Sequence, residues 1–97
     1  MKIQVIAQGS TPLERSIKRW GLSILIDDDI LFDTFGEIDL FVKQLEKLNV
    51  NINNLKHVII SHEHWDHTNG LWYILGQNKN INVYIGYHFS RSFEQKI

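Results

Sequence analysis

The chain has no cysteine. That absence excludes disulfides, cysteine-based zinc fingers and a thiol nucleophile, and it suits a reducing compartment. An excess of either charge is missing too. The formal net charge is −1 and the pI is near 6.5, so nothing attracts the chain in bulk to nucleic acid or to an anionic membrane. There is no basic stripe with interleaved aromatics, which argues against a nucleic-acid enzyme. No window approaches the roughly 18 apolar residues of a transmembrane helix. The apolar run within residues 1–7 is too short and interrupted for a signal peptide. Repeats, low-complexity segments and linkers are absent as well. The expectation is a cytoplasmic protein with no membrane and no nucleic-acid partner. Hydrophobic residues make up 43% and charged residues 22% of the 97, a globular balance that allows one small domain over residues 1–97.

Against those absences stands a concentration of histidine. Three of the five histidines fall within residues 62–67, in the pattern His62-Glu63-His64-Trp65-Asp66-His67. Chance would produce H-x-H-x-D-H in a chain of this composition about once in a thousand. Imidazole and carboxylate are ligands for zinc and other divalent first-row metals. Structural zinc usually recruits cysteine, so a structural site is disfavoured here. If the motif is extended, His62 and His64 point to one side and can chelate one ion together. Asp66 and His67 then diverge toward a second edge, an arrangement suited to two ions about 3.5–4 Å apart.

The flanking patterns place the motif at a strand end. Residues 2–7 alternate as a strand, and Gly9-Ser10-Thr11-Pro12 opens a loop. Residues 13–20 read as irregular or a short helix. Residues 22–26 and 30–33 read as a hairpin turning at Asp27-Asp28-Asp29. Ile38, Phe41, Val42, Leu45 and Leu48 form one apolar stripe, predicting a helix over 37–48. Residues 56–61 read as a strand, 69–77 as a helix capped by Thr68 or Asp66, and 81–86 as a strand. Residues 88–97 suit a short helix. Arg15, Lys18 and Arg19 make the start basic and Asp27, Asp28, Asp29, Asp33, Glu37 and Asp39 the next stretch acidic, as solvated faces and turns do. The alternation gives an α/β fold, with a hairpin first and a βαβ unit around the motif.

The motif resembles that of the metallo-β-lactamase fold superfamily of metal-dependent hydrolases. Gly21–Ile26, then Leu31-Phe32-Asp33-Thr34, a helix, and Val58-Ile59-Ile60-Ser61 leading into the motif support the resemblance in order. The phrase from Ser61 to Leu71 is most similar to the branch holding dihydropteroate-synthase-like and pterin-linked hydrolases. The resemblance covers residues 1–87 but only the first half of the family domain. It implies half of an αββα sandwich, one mixed sheet with helices on one face. It also implies that His62 and His64 bind one metal and Asp66 and His67 a second, Asp66 being the catalytic candidate. Asp33 would sit behind the site and orient a metal-bound histidine, or else be a carboxylate in a strand-end turn. The cofactor expected is one or two zinc ions, with iron or manganese as substitutes.

The departures are specific. Only His88 follows the motif, and it matches no family ligand; it and His57 read as structural. Phe35 stands where family members place a glycine after Asp-Thr, with Gly36 next. The resemblance thus implies a hydrolase that activates a metal-bound water, present as an N-terminal portion with an incomplete site. The alternative is an inactive half-domain that self-associates and binds one ion at most. The apolar sheet face left without a second layer predicts a homo-oligomer or a complementary C-terminal half. Trp65, Trp72 and Tyr73 read as core or pocket wall.

Overall fold

This computed structural model describes residues 1–9 and 21–97. The loop and short helix weighed for residues 10–20 lie outside these residues, as do Arg15, Lys18 and Arg19. The order is β1 (Ile3–Gly9), β2 (Gly21–Ile26), β3 (Ile30–Phe32), α1 (Ile38–Lys47), a 3₁₀ turn (Ile52–Asn54), β4 (His57–Ile59), α2 (Trp65–Gln77), β5 (Asn82–Tyr84) and α3 (Arg91–Lys96). The strands form one five-stranded mixed sheet in sequence order. β1, β2 and β3 are antiparallel, while β3, β4 and β5 are parallel. α1 and α2 make the two crossovers that parallel neighbours require.

The β2–β3 turn holds Asp27 and Asp28 at φ 54° and 73°. Two left-handed residues in a row fit the twist of a tight hairpin, and aspartate tolerates them better than most. α1 buries Phe41 and Leu45 from its apolar stripe. Glu37 caps its start by accepting from the Asp39 N–H at 3.2 Å. Its end closes around Asn49 at φ 57°, with Asn49 N–H on the Glu46 carbonyl and Val50 N–H on that of Leu45. Those two bonds satisfy carbonyls that a helix end leaves free.

Cross-strand register sorts the sheet into two faces. Leu25, Leu31, Val58 and Val83 share one row, and the first three pack with Phe41 and Leu45 of α1 and Leu71 and Ile74 of α2. On the opposite face Val5, Ile24, Phe32, Ile59 and Tyr84 share a row, and Ile3, Ile26, Ile30, His57 and Asn82 another. Neither of these outer rows holds an Asp, Glu, Lys or Arg. Among the described residues no helix is long and apolar enough to cross a membrane.

Candidate metal centre

The motif begins on extended chain and ends on a helix. Beyond β4, the Ile60 N–H still reaches the Tyr84 carbonyl. His64 is the helix N-cap, extended at φ −67° and ψ 145°, and α2 starts at Trp65. The sequence led us to expect a start at Asn69. Asp66, Thr68, Asn69 and Gly70 have the composition of a loop, and packing overrides it. Neither Thr68 nor Asp66 is the cap. Thr68 turns its hydroxyl back onto the His64 carbonyl at 3.1 Å from inside the first turn, and Asp66 lies in that turn.

What fixes α2 there is close approach to the segment after β3. The Thr34 N–H and hydroxyl both donate to the His67 carbonyl at 2.8 Å. A Cβ at Gly36 would run into the Trp65 ring and the Asp66 Cα, and one at Gly21 would overlap the Asp66 carbonyl oxygen. Gly21 also has φ 130°, which side chains rarely allow. The left-handed residue after Thr34 is Phe35 itself, at φ 63° and fully buried. Glycine is therefore not what makes this turn; the core holds the aromatic ring in place.

Because the helix begins at Trp65, the extended spacing ends there too. Ligand atoms of His62, Asp66 and His67 all lie within 4.8 Å of one another. His67 Nε2 and Asp66 Oδ2 are 3.6 Å apart. The His64 ring stands edge-on to that of His62, with centroids 4.8 Å apart, and falls outside the triplet. His62, Asp66 and His67 thus converge as a triplet, with the His64 ring beside that of His62.

Asp33 lies beneath this group at 0% exposure, in a left-handed backbone at φ 58°. Its Oδ2 is 2.7 Å from His67 Nδ1. A carboxylate only accepts, so Nδ1 donates and Nε2 is left with its lone pair. Ser61 gives Asp33 two more bonds, from its N–H to Oδ1 at 2.8 Å and from its hydroxyl to Oδ2 at 2.6 Å. Burial holds the His62 pKa below 6.5, and the neighbouring His67 and His64 lower it further, against the opposing pull of Asp33 and Asp66. A lowered pKa keeps that ring neutral, the form that binds metal.

Other residues sort clearly. Glu63 accepts from the Ser90 N–H at 2.6 Å, and Ser90 caps α3. His57 meets the Tyr84 hydroxyl at 2.9 Å on the outer sheet face. His88 packs against Gly86, outside the triplet. Trp72 stacks at a tilt on Phe93, 5.5 Å between centroids. The roles of Ser61, Glu63 and Thr34 escaped the sequence reading. A serine directly before the first motif histidine was the available signal.

The donor set fits a divalent cation. Two imidazoles and a carboxylate can supply three ligands, the number a catalytic zinc site takes while keeping a position open. A cavity of about 210 Å³ lined by Gln8, Gly21, Leu22, Asp66 and His67 adjoins the group.

The sequence profile of the metallo-β-lactamase superfamily matches residues 21–94. The chain belongs to that superfamily. A Methanocaldococcus jannaschii protein, 7,8-dihydropterin-6-methyl-4-(β-D-ribofuranosyl)-aminobenzene-5′-phosphate synthase, is 36% identical over 72 residues, covering 66% of this chain and 24% of that protein. Among solved structures, the short form of human tRNase Z aligns with TM-score 0.57 at 23% identity, over 77% of this chain and 28% of its own. A Cronobacter sakazakii metallo-β-lactamase variant aligns with TM-score 0.55 at 21% identity, over 64% and 26%. A Thermotoga maritima protein described as a putative metallo-β-lactamase does so at 0.55 and 14%, over 87% and 41%. These likenesses establish the α/β fold. The chain spans about a quarter of the length of the curated relative it matches.

Proposed function

We propose that this member of the metallo-β-lactamase superfamily is the metal-binding portion of a hydrolase, holding zinc through His62, Asp66 and His67. The observation that carries the reading is the convergence of those ligand atoms within 4.8 Å over a buried carboxylate. Iron or manganese would suit the same donors. When bound, the ion supplies Lewis acidity, lowering the pKa of a water and offsetting charge that develops on a substrate oxygen. The chain's own residues do the rest. Asp33 holds the His67 ring with its lone pair free. The first turn of α2 presents Asp66 at the positive end of the helix dipole, a favourable place for its charge. The likeness to the M. jannaschii synthase supports a place in the pterin-linked branch, and the lack of cysteine supports a cytoplasmic setting.

A second reading is favoured by the count of donors. With three converging ligands and a quarter of the relative's length, the 97 residues alone bind one ion and turn nothing over. Purified chain supplied with zinc and a generic phosphodiester or thioester separates the two. Hydrolysis above that of a His67→Ala control supports the enzyme, whereas one bound zinc with no turnover supports the binding half-domain. Less than a tenth of an equivalent of zinc per chain, roughly, would sink both.

The outer sheet face is the proposed contact for a second copy of the chain. It is apolar and carries no Asp, Glu, Lys or Arg in its two central rows, so two like faces meet without burying like charges. Sedimentation showing a dimer supports this. A stable monomer that pairs only with a separately supplied downstream half would reassign the occupant.

A further inference from the structure

The contact between Ser61 and His62 plays no part in the reading above. Ser61 Oγ lies 2.6 Å from Asp33 Oδ2 and 2.8 Å from His62 Nδ1. A hydroxyl has one proton to donate. The Asp33 carboxylate can only accept, so the proton points to Oδ2 and the oxygen lone pairs face His62. A bond of that length to His62 then needs a proton on Nδ1. We infer that Ser61 is a positioning residue that sets the His62 tautomer, relaying the Asp33 carboxylate so that Nδ1 keeps the proton and Nε2 is left free for a cation.

His67 reaches the same Oδ2 directly at 2.7 Å. One buried carboxylate thus orients two imidazoles, one by contact and one through a hydroxyl. Partners of this kind raise metal affinity by fixing ring and tautomer before the ion arrives. The relay does not hold Ser61 in place by itself. The Ser61 N–H donates to Asp33 Oδ1 at 2.8 Å, and a Ser61→Ala chain keeps that bond. The consequence for binding rests on the metal-centre reading; the tautomer is a property of the metal-free chain.

Long-range proton–nitrogen NMR correlations of the histidine rings, taken without metal at mildly alkaline pH, test the inference. Wild type should show both His62 and His67 protonated on Nδ1 alone. Ser61→Ala should leave His67 unchanged and put His62 into a mixture of tautomers, and Ser61→Thr should restore it. Zinc affinity, measured against a competing chelator, should fall about 10-fold to 100-fold in Ser61→Ala and recover in Ser61→Thr. A wild-type His62 protonated on Nε2, or a His62 signal that ignores Ser61→Ala, overturns the inference. So does a changed tautomer with unchanged zinc affinity. If Ser61→Ala does not fold, the wild-type spectrum decides alone. Absent hydrolysis with the tautomers as expected would count against the proposed activity and leave this inference standing.

Discussion

The two faces of the sheet are written in the same kind of sequence and meet different surroundings. Leu25, Leu31 and Val58 are at most 3% exposed, whereas Val5 and Tyr84 on the other side are 53% and 48% exposed. Strand alternation decides which side chains share a face. It does not decide which face is covered. That choice comes from the crossovers. β3 to β4 and β4 to β5 step in the same direction along the sheet, and crossovers of one hand then lay both helices on the same side. The covered face builds the core; the other is where we propose that a second copy docks.

The largest expected effect breaks the covered face. Leu31→Ala should cost about 2–5 kcal/mol, read from the denaturant midpoint, while Val5→Ala should cost well under about 1 kcal/mol. Equal losses would mean that both faces are buried in solution. Next comes the residue that joins the sheet to the metal loop. Asp33→Ala leaves His67 Nδ1 and the Ser61 N–H without their acceptor. Unpaired buried donors of this kind cost about 1–3 kcal/mol, and zinc affinity should drop about 10-fold to 100-fold. Calorimetry and chelator competition measure the two separately; unchanged zinc affinity would show that Asp33 supports only the fold.

A charge on the open face sharpens the contrast from the other side. Ile24→Lys should abolish self-association in sedimentation, and circular dichroism should show the secondary structure retained. Dimers that survive it would place the contact elsewhere. The smallest effect is of pH. The His62 pKa is lowered from 6.5 by burial and by its histidine neighbours, so the unfolded chain takes up that proton first. In metal-free protein this contribution is neutral at high pH and lowers stability as pH falls below about 6.5, levelling off beneath the folded pKa. Melting curves of wild type and His62→Gln should therefore converge or cross on acidification; a growing wild-type advantage would contradict the sign.

Much of this was legible in the residues. The Asp27–Asp29 turn, the α1 stripe and the apolar run into the motif each combine a strong local signal with matching tertiary context. The residues of the candidate site stood out by spacing alone. The start of α2 did not, because it is set by close approach at Gly21 and Gly36 and not by a capping side chain. β4 and β5 run shorter than their apolar stretches, since pairing and not hydrophobicity defines a strand's ends. β1 runs longer than its alternation, through a register shift between Val5 and Ala7 that lets it pair as far as Gly9.

The Glu63 bond to Ser90 gives the second motif position a mechanical task. Its carboxylate fastens the ligand loop to the start of α3, some 27 residues downstream. The segment that follows β5 is thereby tied to the loop that carries the histidines.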